Sequence, residues 1–78
     1  MDRLLKELES VLERYMEHKA IGEDLDHVTT SLMAQDGYEK LPDELQETIE
    51  YLDRWETENF TRDDLEGALK TIRSFLGQ

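Results

Sequence analysis

Apolar residues recur at intervals of three and four along most of the chain, and this spacing restricts the fold more than any other feature. The spaced apolar residues are Leu4, Leu5, Leu8, Val11, Leu12, Tyr15 and Met16 near the start, and Leu65, Ala68, Leu69, Ile72, Phe75 and Leu76 near the end. At about 100° per residue, each set covers one broad side of a helix. No segment shows the alternation of apolar and polar residues that is typical of a half-buried strand. The pattern therefore predicts an all-α protein.

Two helices are predicted in the first half of the chain. The first has Asp2 as its N-cap, a residue type favoured there, and Gly22 as its stop signal. The second is short, with Asp24 as its cap and Gly37 as the left-handed residue that ends it. Its threonine and serine run at residues 29–31 disfavours a helix interior, because these side chains compete for backbone hydrogen bonds. We therefore expect the second helix to be the weakest.

Two further helices are predicted in the second half. The third begins with Pro42 at the first helical position and ends near Asn59. The fourth has Thr61 as its N-cap, where the hydroxyl can accept from the amide of Asp64, and it ends at Gly77. Because the connections between these segments are short, the sequence predicts a compact bundle of four short helices that forms a single helical domain over residues 1–78.

The chain has 78 residues and no cysteine, so neither disulfides nor thiolate metal sites can stabilise its small core. The absence of cysteine suits a reducing, intracellular compartment. Met1 is followed at once by charged residues rather than by the apolar segment of a secretion signal. No run approaches the roughly 18 apolar residues of a membrane-spanning helix. We therefore expect a cytoplasmic protein that does not bind membranes.

The negative charge of the chain is concentrated in its middle. The formal net charge is −11, and residues 22–60 alone carry twelve acids against two bases. Residues 1–21 carry five acids against four bases, and residues 61–78 carry three of each. Such a field repels nucleic acids and acidic membranes and attracts basic protein surfaces. The charge pattern therefore predicts a basic protein partner and no direct binding of nucleic acid.

Residues with catalytic or metal-binding chemistry occur in no recognisable arrangement. Asp24 and His27 lie three apart, but a carboxylate-bridged metal site in a helical bundle needs several such residues. The serines and histidines occur in no recognisable nucleophile context, and the four glycines form no phosphate-binding loop. We therefore expect no catalytic residues, no metal and no cofactor, and a protein that is not an enzyme.

The third predicted helix carries the best candidate for a binding site. Tyr51 and Trp55 lie four residues apart, so both aromatic side chains can lie side by side on a helix. Acidic residues surround them, and an aromatic centre with a charged rim is typical of a protein-binding hot spot. The predicted partner-binding residues are Tyr51, Trp55, Glu47, Glu50, Asp43 and Glu44.

The role of Trp55 has two interpretations. In the first, its ring closes one edge of the hydrophobic core and is covered by Tyr38 or Phe60. In the second, it is exposed and serves as the anchor of an interface. The sequence leaves both interpretations open.

Two hypotheses about function follow. The first is a small acidic interaction module that binds a basic protein surface, with an inhibitor or immunity-type protein as one form of it. The alternative is a structural helical domain without catalytic activity that associates as a homodimer through the aromatic side chains of the third helix. The acidity of residues 22–60 opposes close pairing of two copies there, so the interaction module ranks first.

Overall fold

The computed structural model describes residues 1–77. In this range the chain forms four α-helices and one short 3₁₀ turn, and no strand. The helices are α1 (Asp2–Met16), α2 (Gly22–Met33), α3 (Asp43–Asp53) and α4 (Arg62–Leu76), and the 3₁₀ turn spans Tyr38–Lys40. Each helix packs on the next one along the chain, and α4 packs on α1, so that the four form a closed ring around one core. The predicted all-α bundle of four short helices is confirmed.

One hydrophobic core fills the space between the helices. Its buried apolar residues are Leu5, Leu8, Val11, Leu12, Leu25, Val28, Leu32, Leu41, Leu45, Ile49, Leu52, Leu65, Ala68, Leu69 and Ile72. They come from all four helices and from the residue before Pro42, at the spacing of three and four that the sequence shows. Full burial of a Leu or Ile side chain contributes about 1.5–3 kcal/mol, so this core is the main source of stability. Phe75 departs from the expected pattern, since 40% of its surface is exposed.

The boundary between α1 and α2 differs from the sequence prediction. Asp2 lies in the first turn of α1 rather than at its N-cap, which is Met1. The helix ends at Met16, and the chain turns at His18, whose φ of 61° is left-handed. Gly22 does not stop α1 but is the buried first residue of α2. A Cβ built on Gly22 would overlap the six-membered ring of Trp55, so close packing explains why glycine stands there.

The ends of α2 are also shifted. Its N-cap is Ile21, whose backbone N–H donates to Asp24 Oδ2 at 3.0 Å. Asp24 therefore caps the helix from inside its first turn and is not the N-cap residue itself. The helix ends at Met33, because Ala34 already takes the C-cap position. Gly37 is left-handed as predicted, with φ of 91°, but it introduces the 3₁₀ turn instead of ending α2.

The third helix is shorter than predicted. Pro42 is its N-cap, and α3 ends at Asp53 rather than near Asn59. Arg54 begins a turn, because its carbonyl accepts from the N–H groups of residues 57 and 58 at 3.0 Å. This turn carries Trp55 onto the start of α2, a contact between distant segments that helical periodicity does not reveal.

Both predicted ends of α4 are confirmed. Thr61 Oγ1 accepts from the Asp64 N–H at 3.1 Å, and Asp64 Oδ2 accepts from the Thr61 N–H at 3.1 Å. This reciprocal pair satisfies two amides that have no partner within the helix. Gly77 follows the last turn with φ of 82°, the left-handed conformation that glycine adopts most easily.

Candidate interaction surface

The packing order of the helices separates the charges in space. The near-neutral helices α1 and α4 pack on each other, and the acidic helices α2 and α3 form the opposite side of the ring. The twelve acids of residues 22–60 therefore gather on one half of the molecule, which we call the acidic half. The α1/α4 half carries the remaining eight acids and seven of the nine bases.

On the α1/α4 half, several acidic side chains have cationic partners. Arg73 Nε lies 2.7 Å from Glu9 Oε2, and its Nη2 lies 3.0 Å from Glu13 Oε1. The hydrogen bond with Glu9, a side chain that is only 13% exposed, raises the pKa of the Arg73 guanidinium. This bridge joins α4 to α1 and offsets part of the charge of two carboxylates at their contact.

On the acidic half, few carboxylates have a cationic partner. Within residues 22–60, the structure describes one ion pair, between Arg54 and Glu58 at 3.7 Å, and both of its side chains are well exposed. The pair joins residues four apart along the chain, so it does not link two helices. Most carboxylates of this half therefore face water without a cation nearby, and they produce a negative field around α2 and α3.

Three of the six predicted binding residues lie together in one groove. Glu44, Glu47 and Tyr51 fall on one stripe of α3, which faces a matching stripe of α4 across a groove of about 220 Å³. The α4 stripe and the remaining lining consist of Asp64, Gly67, Ala68, Thr71 and Thr48. No lysine or arginine lines this groove. It is therefore a negatively charged groove with small residues on its α4 side.

The other three predicted binding residues lie elsewhere. Asp43 is exposed in the first turn of α3. Glu50 is turned towards the 3₁₀ segment, where its Oε2 accepts from the Tyr38 hydroxyl at 3.1 Å. Burial and this contact with Glu50 raise the pKa of Tyr38 to about 12. Trp55 lies outside α3, so the expected arrangement of Tyr51 and Trp55 side by side on one helix is wrong.

Tyr51 pairs with another aromatic residue instead. Its ring centroid lies 5.0 Å from that of Phe60, and the Arg54 guanidinium lies 5.8 Å from its centroid. Its hydroxyl donates to Asp64 Oδ2 at 3.2 Å across the end of the groove. Burial and this hydrogen bond raise the pKa of Tyr51, whereas hydrogen bonds from Thr61, first of all its backbone N–H, lower the pKa of Asp64. These contacts hold the Tyr51 ring in place between α3 and α4.

Trp55 packs at an edge of the core. Its ring contacts the core cluster and lies over Gly22, and the side chain is partly exposed. The indole Nε1 is buried and has no hydrogen-bond acceptor among the described residues. This placement matches the interpretation in which Trp55 closes one edge of the core, with Gly22 as an observed close contact. A role for Trp55 towards a partner stays a prediction.

A buried polar link was not foreseen from the sequence. Thr29 is fully buried, and its Oγ1 lies 2.7 Å from Asp53 Oδ1 and 3.1 Å from the Asp26 carbonyl oxygen. The link fastens the middle of α2 to the last residue of α3. Thr29 lies four residues after Leu25 and three before Leu32, so its place on the apolar stripe was a signal of burial.

A larger groove has a different character. It lies between α1 and α4, measures about 640 Å³, and includes Met16 and Leu69 in its lining. Its charged groups carry both signs, and several are paired, as in the 3.0 Å contacts of Arg62 with Glu66 and of Arg73 with Glu13. This groove has no net preference for ligand charge, in contrast to the groove between α3 and α4.

Residues 1–77 contain neither a metal-binding cluster nor a membrane-spanning helix. No group of three or more His, Asp or Glu side chains there is arranged to hold a metal ion. The carboxylate of Asp24 serves the N-terminus of α2, as described above. None of the described helices has the length and apolar character that would let it span a bilayer.

Comparisons with protein-family models, with curated proteins and with solved structures find no match to this chain.

Proposed function

We propose that this protein is a small interaction module that binds a basic protein surface through its acidic half. The observation that carries the proposal is the separation of charge between the two halves. On the α1/α4 half, Arg73 pairs with the carboxylates of Glu9 and Glu13, whereas the carboxylates of α2 and α3 have almost no cationic partners. Like charges on one face oppose folding, so their concentration there favours a role in recognition.

In this proposal, the negative field of the acidic half speeds association with the partner and makes binding specific for basic surfaces. Its field attracts a basic surface over about 8 Å at physiological ionic strength, the Debye length, and repels acidic surfaces. Glu44, Glu47 and Glu50 are exposed along α3, so a partner can reach them without rearrangement of the fold. An inhibitor or immunity-type protein would use this field to cover a basic site on its target.

Charge reversal tests the proposal. The double variant Glu47→Lys/Glu50→Lys is compared with wild type for binding to a set of small basic proteins, with small acidic proteins as a reference. We expect wild type to bind at least one basic protein with an association rate that falls with salt, and the variant to associate about tenfold more slowly. Binding is measured by surface plasmon resonance at several salt concentrations.

A matched control distinguishes the effect of where the charges lie from the effect of the total charge. Asp2→Lys/Glu7→Lys changes the net charge by the same amount on α1, in the other half of the molecule. If this control slows association as much as Glu47→Lys/Glu50→Lys, the acidic half is not the binding surface. If no basic protein binds wild type in preference to the acidic proteins, the proposal is wrong.

The wild-type protein used for the binding measurements also tests the homodimer hypothesis. Two copies that meet through their acidic halves repel each other at low salt and associate more as salt rises. Analytical ultracentrifugation of wild type at low and moderate salt measures this directly. We expect a monomer under both conditions.

A further inference from the structure

The groove between α3 and α4 continues into a second cavity with apolar walls. This cavity measures about 170 Å³, and Pro42, Leu45 and Phe75 form its apolar walls. Glu44 and Thr71 line both cavities, so the two adjoin. Phe75 is 40% exposed and is one of few large apolar side chains exposed in the described part of the chain. We call the two sections together the α3/α4 groove.

The acidic section of the groove has room for a long side chain. A Cβ built on Gly67 would meet no atom within 4 Å apart from its immediate neighbours in α4, so the space above this residue is open. Ala68 continues the same surface, and Glu44 and Glu47 stand on the opposite side. Lysine and arginine bury an apolar stem and keep a charged head at polar groups. Their stems fit the small residues of α4, and their heads fit the carboxylates of α3.

We infer that the α3/α4 groove binds a basic amphipathic segment of the partner protein. A Lys or Arg of this segment enters the acidic section, and a neighbouring apolar side chain packs against Phe75. Residues three or four apart are neighbours on a helix, so a basic and an apolar residue at that spacing match the two adjoining sections. The inference rests on the proposed function, because the charge of the acidic half is what selects a basic partner.

The charge of the groove disfavours two other occupants. A second copy of the chain would bring its own acidic half towards Glu44 and Glu47, and a symmetric contact would place like charges together. An anionic membrane surface would be repelled for the same reason.

Two synthetic peptides of identical composition test the inference. One has lysine and leucine at helical spacing, so that it is amphipathic, and the other has the same residues in scrambled order. Each is titrated into the isotopically labelled full chain and followed by NMR. We expect the amphipathic peptide to shift the amide signals of Gly67, Thr71 and Phe75 and to bind about tenfold more tightly than the scrambled peptide.

Two variants address the two sections separately. Gly67→Leu fills the open space of the acidic section, and Phe75→Ser removes the exposed wall of the apolar section. We expect each to weaken the amphipathic peptide about tenfold. Ser10→Leu adds the same side chain as Gly67→Leu at an exposed position of α1 and serves as the matched control. Circular dichroism verifies that each variant is folded, and Phe75→Ser still tests the groove if Gly67→Leu unfolds the chain.

The outcomes separate this inference from the proposed function. If both peptides bind equally well and neither groove variant has an effect, while Glu47→Lys/Glu50→Lys still slows association with a basic protein, the groove assignment is wrong and the function stands. If neither peptide nor any basic protein binds, both are wrong. If the signals of Gly67 and Phe75 shift with protein concentration alone, a second copy occupies the groove and the inference is overturned.

Discussion

At the scale of single residues, two helical glycines have opposite surroundings. Gly22 lies beneath the ring of Trp55, where a Cβ would overlap the indole. Gly67 faces open space on α4. Glycine lowers the stability of a helix interior by roughly 0.5–1 kcal/mol relative to alanine, because the unfolded chain has more freedom at glycine. The same substitution should therefore have opposite effects at the two positions.

Gly22→Ala should lower the free energy of unfolding by about 1–3 kcal/mol, the usual cost of forcing an extra group into a packed site. The new methyl group displaces the Trp55 ring, so the fluorescence of the folded variant should shift towards that of a solvated indole. Urea unfolding followed by tryptophan fluorescence measures both effects. An unchanged stability and spectrum would show that Trp55 does not pack on Gly22.

Gly67→Ala is the control, and it should raise the free energy of unfolding by about 0.5–1 kcal/mol. Urea unfolding followed by circular dichroism measures this change. A loss of stability in Gly67→Ala would mean that the space above this residue is filled in the folded protein.

The hydroxyl of Tyr38 should lose its proton at a higher pH than the hydroxyl of a free tyrosine. Burial and the hydrogen bond to Glu50 raise its pKa to about 12, because both disfavour the phenolate. The resulting stabilisation is fully present below the unfolded pKa of about 10 and is lost as the pH rises through the folded pKa. NMR titration of the Tyr38 ring signals measures the midpoint. Glu50→Gln should lower it, and a midpoint near 10 in wild type would contradict the buried contact.

At the scale of helices, the link between Thr29 and Asp53 joins α2 to the end of α3. Thr29→Val keeps the shape of the side chain but removes the hydroxyl that lies 2.7 Å from Asp53 Oδ1. The partly buried carboxylate then lacks this donor, which should cost about 1–3 kcal/mol. Thr30→Val is the control, because Thr30 is exposed one residue further along the helix. Thermal unfolding of both variants measures the difference, and equal losses would show that the link contributes nothing.

The N-cap of α4 provides a second test at this scale. Thr61→Ala removes the acceptor for the Asp64 N–H and should cost about 1 kcal/mol. Hydrogen bonds from Thr61 lower the pKa of Asp64. The stabilisation from Asp64 is therefore present above its unfolded pKa and is lost as the pH falls through the lower folded pKa. NMR titration of Asp64 in wild type should give a midpoint below that of a free aspartate. A midpoint at or above the ordinary value would contradict the capping geometry.

At the scale of the whole molecule, charge repulsion within the acidic half should limit stability. Residues 22–60 carry twelve acids and two bases, so the folded state holds like charges closer together than the expanded chain does. Adding salt to roughly 0.15 M reduces the Debye length to about 8 Å, and it should raise the melting temperature. Glu47→Lys should be more stable than wild type at low salt and gain less from added salt. A melting temperature that falls with salt in wild type would show that favourable ion pairs, such as those of Arg73, outweigh the repulsion.

Apolar periodicity and the capping residues of α4 were sufficient to predict the all-α class, the number of helices and both ends of the last helix. These features depend on neighbouring residues, because the backbone hydrogen bonds of a helix form within the helix and its caps lie within one turn. The acidic residues of the middle segment were likewise evident from the sequence. Their grouping on one half of the molecule followed only when α2 and α3 were seen to pack on each other.

Tertiary contacts decided the features that the sequence misplaced. α3 stops at Asp53 because the chain turns to bring Trp55 onto Gly22, and that contact joins residues 33 positions apart. The same turn separates Trp55 from Tyr51, whereas Glu44 and Glu47 join Tyr51 in a groove that needs α4 as its second wall. Helical periodicity records which side of a helix is apolar, but it does not record which helix covers that side. The sequence by itself therefore determined the elements and their charge, and packing between distant segments determined the shape of the candidate site.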